Sequence, residues 1–575
     1  MKPASRHRPR MGSTASRKRS PAVRRRRRAI SVAAAVGLSL VVGFAALALV
    51  RHASHKAQAP PDVAAPGGVD GSSGSHEKPE ARPASSQEAV AAQKAIRVES
   101  YLGGAERDLE GFGPAPKRLR LIWKYRVGSG PTRTKKDNTL TTWAGTGWTG
   151  QPTVVKEEGR TWLLVGGYDH NLHKIDAETG EAAWMATWPD VIKGTNTVIA
   201  NPAPSGPDDP TRLIVVSGSR RGFNSMVGDP GISPLRAVSF YTGEELWRLP
   251  VPRTDNYSQD VDGSPLLHEG VLYAPVESGY VYALDPFSTE ERDGMVQPKV
   301  LTRSPRLYDD ADVAAHPDTG GANLAIESSP AAIGDVIYVT SGAGHIYGLD
   351  STSLEIVWDF KTGCDLDGTP SVTADGKLLI SLEHEYVKER GGAYLLDPAK
   401  PPSEAIVWYY PTPSRGFGEW GGGCIGSVTT NEATNDGSMP RLAALNTIDG
   451  PLRVVSIDQV GKERSLGPGA KREAPAPVEV FTSDIGGSIS TPVIIGDSIV
   501  TAGYGRTVEL FRLRFTPAED DARGALPSPD GRWWTVSAKR ADAFAGGAAF
   551  ESTPLVYGGR VYIGCRDGYL YCLGD

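Results

Sequence analysis

Carboxylate side chains recur at one position of a repeated pattern in this chain. The pattern is anchored by Pro152, Pro202, Pro265, Pro330, Pro370, Val428, Pro492 and Pro554. Three residues before these anchors lie Thr149, Ile199, Asp262, Glu327, Asp367, Ile425, Ile489 and Glu551. If these positions line one channel, the four carboxylates repel each other, which favours cation binding or raises a pKa. Two interpretations stay open: a calcium or cationic-ligand site, and a water-filled channel whose carboxylates cap local backbone amides. The second is preferred.

Two stretches rich in glycine and tryptophan each lead into an anchored segment. They are TTWAGTGWTGQP (141–152) and FGEWGGGCIGS (417–427), and they contain Trp143, Trp148 and Trp420. Exposed tryptophans of this kind could stack a ligand or anchor a partner. The alternative is that they pack against a neighbouring part of the fold.

The four cysteines are Cys364, Cys424, Cys565 and Cys572. Cys364 and Cys424 precede the anchors of adjacent repeats, so an oxidising compartment would permit a disulfide between them. Two buried free thiols are the alternative. The histidines show no zinc spacing, and no nucleophile elbow, phosphate loop or His-Glu-x-x-His motif occurs. We therefore predict no catalytic residue and assign no metal ligand.

These residues are positioned by eight copies of one unit. The clearest copy, residues 327–358, reads ESSPAAIGDVIYVTSGAGHIYGLDSTSLEIVW. Each unit holds about four short strands with alternating apolar residues, a sheet that cannot bury both of its faces alone. Radial stacking of such sheets is a β-propeller, and eight blades fall within the usual range of about four to eight. The sequence therefore predicts an all-β, eight-bladed propeller over residues 118–575.

Tryptophans and the chain ends refine this prediction. The residues expected to pack between sheets are Trp123, Trp184, Trp247, Trp358 and Trp408. The last unit stops at Asp575 without its final strand, whereas residues 118–127, RLRLIWKYRV, form a strand-like segment before the first unit. We expect this N-terminal strand to complete the last blade and close the ring.

Composition and charge divide the chain. Its 575 residues include 67 Gly and 44 Pro, an excess typical of many strands joined by tight turns. Residues 1–61 contain 14 Lys or Arg and no Asp or Glu, which leaves 48 basic and 67 acidic residues in the remainder. Because nucleic-acid binders are basic, the acidic body excludes nucleic acid as a partner.

The N-terminus predicts attachment to a membrane. Residues 1–28 form a basic tail, and the uncharged residues 29–50 are long enough to cross a bilayer as a transmembrane helix. The basic flank places the tail in the cytoplasm and the propeller in the periplasm or outside the cell. A cleaved signal peptide is the alternative. Residues 51–117 are predicted to be a disordered tether rich in Pro, Ala, Gly and Ser.

The repeat resembles the pyrroloquinoline-quinone (PQQ)-type repeat. The motifs that carry the resemblance are SSPAAIGDVIYVTSGAGHIYGLD, the Thr-Gly-x-x-x-Trp segments ending at Trp184 and Trp247, and the terminal GYLYCLGD. The family implies the quinoprotein-dehydrogenase-like propeller fold and two kinds of function. One is a dehydrogenase that holds PQQ and calcium in the channel. The other is a non-catalytic scaffold, like the propeller lipoprotein of the outer-membrane β-barrel assembly machine.

The resemblance favours the scaffold. Many dehydrogenases of the family carry two adjacent cysteines over the quinone, whereas no two cysteines are adjacent here, and no Cys-x-x-Cys-His haem motif is present. The family's calcium ligands cannot be matched to residues of this chain. We therefore expect no cofactor and predict a membrane-anchored scaffold that binds other envelope or membrane proteins. A PQQ- and calcium-dependent oxidoreductase and a small-ligand sensor that uses the channel are the alternatives.

Overall fold

The structure is a computed structural model that describes residues 87–108, 111–133, 139–222, 232–318, 320–417, 420–520 and 522–575. The predicted tail (1–28), the predicted transmembrane helix (29–50) and the predicted tether up to residue 86 lie outside these ranges. Among the described residues, no helix is both long and apolar enough to cross a bilayer.

Strands dominate the described part of the chain, in the following order. Before the first blade lie α1 (Gln87–Ala95), β1 (Ile96–Val98), β2 (Gly111–Phe112), β3 (Arg120–Arg126), β4 (Ser129–Arg133) and β5 (Leu140–Ala144). Blade 1 contains β6 (Thr153–Glu157), β7 (Arg160–Gly166), β8 (Asn171–Asp176) and β9 (Ala182–Thr187), and blade 2 contains β10 (Thr197–Ala200), β11 (Leu213–Ser217), β12 (Leu235–Ser239) and β13 (Glu245–Leu249). Blade 3 contains β14 (Leu266–His268), β15 (Val271–Val276), β16 (Tyr280–Arg292) and β17 (Met295–Arg303), and is followed by α2 (Asp310–Ala315), β18 (Pro317–Asp318) and β19 (Gly321–Ala322).

The remaining blades follow the same plan. Blade 4 contains β20 (Ala331–Ile333), β21 (Val336–Thr340), β22 (His345–Asp350) and β23 (Ile356–Lys361), and blade 5 contains β24 (Ser371–Val372), β25 (Leu378–Leu382), β26 (Gly392–Leu396) and β27 (Ile406–Pro411). Blade 6 contains β28 (Thr429–Thr430), β29 (Leu442–Asn446), β30 (Pro451–Ser465) and β31 (Ala474–Asp484), and blade 7 contains β32 (Val493–Ile495), β33 (Ser498–Ala502), β34 (Thr507–Ala518), β35 (Ala525–Pro527) and β36 (Trp533–Ala545). Blade 8 contains β37 (Leu555–Tyr557), β38 (Arg560–Cys565) and β39 (Tyr569–Gly574). Short 3-10 turns span Pro402–Glu404 and Glu432–Thr434.

The eight-bladed, all-β propeller predicted from the repeats is confirmed. Within the described residues, each repeat forms one antiparallel sheet with its strands in sequence order, apart from the added β35. In addition, β1 pairs with β6 at the edge of blade 1, and β2 pairs in parallel with β37 at the edge of blade 8. The predicted closing strand is β3, which pairs with β39 from Arg120 opposite Gly574 to Arg126 opposite Tyr569. The last blade is therefore built from both ends of the propeller, as expected.

The repeat motif has a direct explanation in the turn after each third strand. In blade 1, the Asp176 carboxylate accepts hydrogen bonds from the backbone N–H groups of Glu178 and Thr179. Gly180 follows with φ +75°, in the left-handed region that favours glycine. A Cβ on Gly180 would also lie 2.8 Å from the indole of Trp123. The Thr-Gly pair of one blade therefore provides the surface on which the tryptophan of the preceding blade lies.

The five tryptophans predicted to pack between blades share this position. Each indole N–H donates to a backbone carbonyl of the next blade, at distances of 2.9–3.1 Å. The pairs are Trp123 with Ala177, Trp184 with Phe240, Trp247 with Pro286, Trp358 with Lys400 and Trp408 with Ile457. A buried indole needs such an acceptor, so each contact joins apolar packing to a fixed register between blades.

Hydroxyl groups next to the anchors form a second set of contacts between blades. At five junctions, the backbone N–H of the residue before one anchor donates to the hydroxyl of the corresponding residue in the next blade. These junctions are Gln151 to Thr195, Ser264 to Ser329, Ser329 to Thr369, Thr369 to Ser427, and Ser427 to Thr491. The Ser and Thr residues of the repeat thus satisfy buried amides around the channel.

The described residues 96–108 and 111–112, which we call the plug, correct the prediction of a disordered tether over residues 51–117. The plug makes a backbone or side-chain hydrogen bond, or a strand pair, with every one of the eight blades. The partners in blades 1–8 include, in order, Val155, Val198, Ser264, Ala332, Val372, Ser427, Thr491 and Val556. Described residues from 87 to 117 are therefore part of the folded body, and Val98, Tyr101 and Leu102 are buried in it.

Arg107 is the buried centre of the plug. Its side chain is fully enclosed, and its guanidinium donates to the carbonyls of Pro330 (2.8 Å), Tyr101 (2.7 Å) and Ser264 (3.3 Å). Burial lowers the pKa of Arg107 to about 10, an effect partly opposed by the Glu99 carboxylate. The group therefore stays charged at neutral pH and joins the plug to blades 3 and 4.

Candidate functional site

The residues three positions before the anchors form a ring at one end of the channel, with one correction to the predicted set. In seven blades the anchor directly precedes the inner strand, but Pro202 follows the inner strand of blade 2, which spans Thr197–Ala200. The anchor of blade 2 is therefore Asn196, and Lys193 takes the place predicted for Ile199. The eight positions are Thr149, Lys193, Asp262, Glu327, Asp367, Ile425, Ile489 and Glu551.

Lys193 lies among the predicted carboxylates. Its ammonium forms an ion pair with Asp262, and its nitrogen lies 3.7 Å from a carboxylate oxygen of Glu327. The same nitrogen lies 4.4 Å from the ring centre of Trp148, whose indole N–H donates to Glu327 at 3.2 Å. The protein thus supplies its own cation to this part of the ring, and Lys193 and Glu327 both contact Trp148.

A small cavity lies beneath this ion pair. Asp262, Glu327 and Asp367 line it together with Trp148 and Tyr101 of the plug. Its volume is about 20 Å³, close to the minimum of roughly 10–15 Å³ that accommodates one water molecule. The cavity can hold a water molecule or an ion, but it is far smaller than the roughly 300 Å³ of the smallest usual ligand pockets.

Glu551, the fourth predicted carboxylate, lies apart from this cavity. It forms an ion pair with Arg566 at 2.7 Å and accepts a hydrogen bond from the Tyr504 hydroxyl at 2.8 Å. Burial, with the nearby Glu551 carboxylate, raises the pKa of Tyr504. The structure thus brings three of the four predicted carboxylates to one cavity and gives the fourth a separate partner.

The three candidate stacking residues are half-buried and contact the protein's own side chains. Trp143 lies between the guanidinium groups of Arg220 and Arg566, at 5.3 and 5.4 Å from its ring centre. Trp420 packs against Phe417 and Tyr504, with ring centres 5.4 and 5.9 Å apart. Each of the three rings, Trp148 included, is engaged by the protein's own side chains, so a ligand would have to displace these contacts before it could stack on them.

Of the two interpretations left open for Cys364 and Cys424, the structure has the buried free thiols and not the disulfide. All four cysteines are free and buried. The Cys364 thiol donates to the Thr362 hydroxyl and the Cys424 thiol to the Gly426 carbonyl, and the two cysteines belong to different core clusters. Burial raises the pKa of Cys364 to about 12, so this thiol stays protonated.

A quinone cofactor does not fit the described residues of this channel. The Tyr101 side chain of the plug closes one side of the cavity, and the ion pair of Lys193 and Asp262 lies beside it. A planar tricyclic quinone needs a pocket many times larger than about 20 Å³.

Two groups of this site were missed by reasoning from the sequence alone. Lys193 could have been found, because Gly194-Thr195 matches the Gly-Ser/Thr pairs before the other anchors, such as Gly263-Ser264. A Cβ on Gly194 would lie 1.8 Å from the carbonyl oxygen of Asp262, which explains why glycine is present there. The plug carries no repeat signal and could not have been located in this way.

Replacing Lys193 with methionine is expected to destabilise the protein by about 3 kcal/mol at neutral pH, because buried carboxylates then lose their cation. Urea denaturation measures the change. Adding Asp262→Asn to the Lys193→Met variant should restore most of the lost stability, because one of the unpaired charges is removed. Equal stability of the single variant and the wild type would contradict the assigned role of Lys193.

Residues 120–294 match the family model described as outer membrane protein assembly factor BamB. This range contains the closing strand, the first two blades and the first three strands of blade 3, and the match confirms the resemblance predicted from the repeat motifs. No curated protein matches the sequence.

Several solved structures are similar in shape. Quinohemoprotein alcohol dehydrogenase from Comamonas testosteroni is 13% identical, covers 85% of each chain and has a TM-score of 0.47. BamB from Moraxella catarrhalis is 15% identical, covers 66% of this chain and 98% of its own, and has a TM-score of 0.35. The computationally designed protein Ika8 is 10% identical, covers 75% and 96%, and has a TM-score of 0.42. At these values the similarities carry no information on function.

Proposed function

We propose that this protein is a membrane-anchored, extracytoplasmic scaffold that binds other envelope proteins through the outer edges of its blades. The observation that carries the proposal is the position of the exposed large apolar side chains. Eight of them lie on outermost strands of blades: Leu121, Ile122, Met185, Val296, Val300, Leu301, Ile356 and Val357. Apolar side chains beside unpaired backbone groups suit binding of an added strand from a partner.

Blades 3 and 4 offer the strongest candidate surface. Strand β17 exposes Val296, Val300 and Leu301, and β23 of the next blade exposes Ile356 and Val357, the last with 57% of its surface accessible. Both strands are the outer edges of their sheets. An extended partner segment could pair with either edge and cover these side chains, which would remove apolar surface from water.

Three further observations support an assembly role in the envelope. The plug and its small cavity leave the channel without room for a substrate of ordinary size. The family model matched by residues 120–294 is that of an assembly factor. The uncharged residues 29–50, which follow a basic tail, support the proposed anchor and the proposed extracytoplasmic position of the propeller.

The buried state of all four native cysteines makes a single introduced cysteine a selective probe. We expect Val300→Cys and Val357→Cys to react with a membrane-impermeant maleimide in cells stripped of their outer layers. When the maleimide carries a photo-crosslinker, both variants should yield a discrete crosslinked partner in native membranes. Adding Val296→Glu and Ile356→Glu should lower the crosslinking yield about tenfold without changing the melting temperature, as expected when contacts worth about 1.4 kcal/mol are lost.

Leu140→Cys provides the control, because Leu140 is equally apolar and 54% accessible but lies on the β4–β5 hairpin and not on a blade edge. Equal crosslinking from Leu140→Cys, or none from the two edge positions, would argue against partner binding at the blade edges. Failure of the maleimide to reach the edge positions in cells stripped of their outer layers would argue against an extracytoplasmic propeller.

A further inference from the structure

Blades 3 and 5 share a motif that blade 4, between them, lacks. Residues 260–265 read DVDGSP and residues 365–370 read DLDGTP. In both blades a glutamate directly follows the second strand, Glu277 after β15 and Glu383 after β25. The backbone N–H of each glutamate donates to the carbonyl of the first aspartate of the motif, Asp260 or Asp365. The two blades thus present the same three acidic positions.

In blade 3, two cations from blade 2 neutralise the motif. Arg220 forms an ion pair with Asp260 at 3.0 Å, and Lys193 forms one with Asp262. Both cations come from fixed positions of the repeat. Lys193 lies three residues before its anchor, and the Arg220 N–H donates to the carbonyl five residues before that anchor, at Val191.

Blade 4 carries no cation at the two corresponding positions. Glu327 lies three residues before its anchor, and Gly342 makes the backbone hydrogen bond that Arg220 makes in blade 2, to the carbonyl of Ala325. The amide of Asn323 occupies the space beside Gly342 and donates to one oxygen of Asp365 at 2.6 Å. The two repeat positions that supply cations to the motif of blade 3 are therefore occupied by a glutamate and a glycine in the blade that precedes blade 5.

The acidic groups of blade 5 are close together and buried. One oxygen each of Asp365, Asp367 and Glu383 lie within 4.8 Å of one another. Asp365 and Glu383 are only 7% and 3% accessible. Their oxygens Oδ1 and Oε1 accept no hydrogen bond, and neither residue forms an ion pair with any Lys, Arg or His among the described residues. An unpartnered buried carboxylate oxygen is costly, so this cluster calls for a ligand.

We propose that Asp365, Asp367 and Glu383 bind a calcium ion that takes the place of the two cations of blade 3. Carboxylate oxygens suit hard cations, and the absence of nitrogen or sulfur ligands from the cluster disfavours zinc. Calcium accepts six to eight oxygen ligands in flexible geometry, whereas magnesium retains several waters and fits a dry cluster less well. Asp367 also lines the central cavity, which can supply a water ligand.

The pKa values of the acidic cluster without a bound cation are consistent with a calcium site. Burial, reinforced by the neighbouring carboxylate of Asp367, raises the pKa of both Asp365 and Glu383 well above the usual range. A bound calcium ion would instead stabilise the ionised carboxylates. It would join the loop before the inner strand of blade 5 to the end of its second strand, and through Asn323 to the segment before blade 4.

Calorimetric titration of the purified full-length protein, freed of metal with a chelator, tests the proposal with calcium chloride as the probe. We expect one calcium ion to bind per chain at millimolar or lower concentration and to raise the melting temperature. Glu383→Gln, which keeps the shape of the side chain, should weaken binding at least tenfold. The matched control is Glu277→Gln in blade 3, which should bind calcium as the wild type does.

Asp367→Asn, at a more accessible position, provides a second variant with the same expected loss if Glu383→Gln does not fold. Absence of both heat and a melting-temperature change at millimolar calcium would overturn the proposal. Undiminished binding by Glu383→Gln and Asp367→Asn would overturn the assigned position. Stabilisation by zinc or magnesium but not by calcium would overturn the choice of ion.

Discussion

Replacing Arg107 with alanine is expected to lower the free energy of unfolding by about 5 kcal/mol. The guanidinium is fully buried and donates to three backbone carbonyls that belong to the plug, blade 3 and blade 4. Each carbonyl left without a donor costs roughly 1–3 kcal/mol, and the vacated volume adds to the loss. Equilibrium denaturation in guanidinium chloride measures the effect.

Two variants make this prediction specific. Arg97→Ala removes an exposed arginine of the neighbouring strand β1 and should change stability by less than about 0.5 kcal/mol. Arg107→Lys keeps the charge but lacks the planar fork of donors, so it should recover only part of the loss. A similar small effect of Arg107→Ala and Arg97→Ala would mean that the plug contributes little to the fold.

A truncation series should separate the contribution of the plug to stability from that of the closing strand. A chain that begins at residue 87 retains every described element and is expected to have the melting temperature of the full-length protein. Beginning at residue 118 removes the plug but keeps β3. Beginning at residue 128 also removes β3, whose six register pairs with β39 contribute about 5 kcal/mol or more at the usual value of a backbone hydrogen bond.

Size-exclusion chromatography measures the oligomeric state of each truncated chain, and thermal unfolding measures its melting temperature. Loss of β3 exposes the edge of β39, so the shortest chain should associate or fail to give a monodisperse peak. The chain that begins at residue 118 should remain monomeric with a lowered melting temperature, because the ring stays closed while the plug is absent. If the chain that begins at residue 128 were as stable as the one that begins at 118, closure by β3 would be wrong.

The propeller was predictable because the information for each blade is local. An alternating apolar pattern, a Leu-Asp turn and a Thr-Gly pair recur in the sequence, and each of them acts within a few residues or on the adjacent blade. Trp123 was also predictable as part of the last blade, because the repeat at the C-terminus lacks its final strand. Eight copies of one pattern reveal the fold even where a single copy is irregular.

The error at blade 2 shows where this reasoning fails. Pro202 resembles an anchor but lies in the turn after the inner strand, while Asn196 occupies the anchor position. This shift placed Ile199 in the ring and concealed Lys193, the cation that pairs with Asp262. The position of the inner strand of blade 2 is set by the backbone pairing of β10 with β11, and a single proline in the sequence does not indicate it.

By itself, the sequence determined the all-β class, the number of blades, the closing strand and the acidic character of the channel, because these follow from short-range patterns repeated eight times. Only the tertiary structure decided what fills the channel. Tyr101 reaches Thr491, 390 residues away in the chain, and no local pattern records such a contact. It also decided that Asp260 of blade 3 faces the guanidinium of Arg220 whereas Asp365 of blade 5 faces the amide of Asn323, because charge neutralisation in a ring depends on which blades are neighbours.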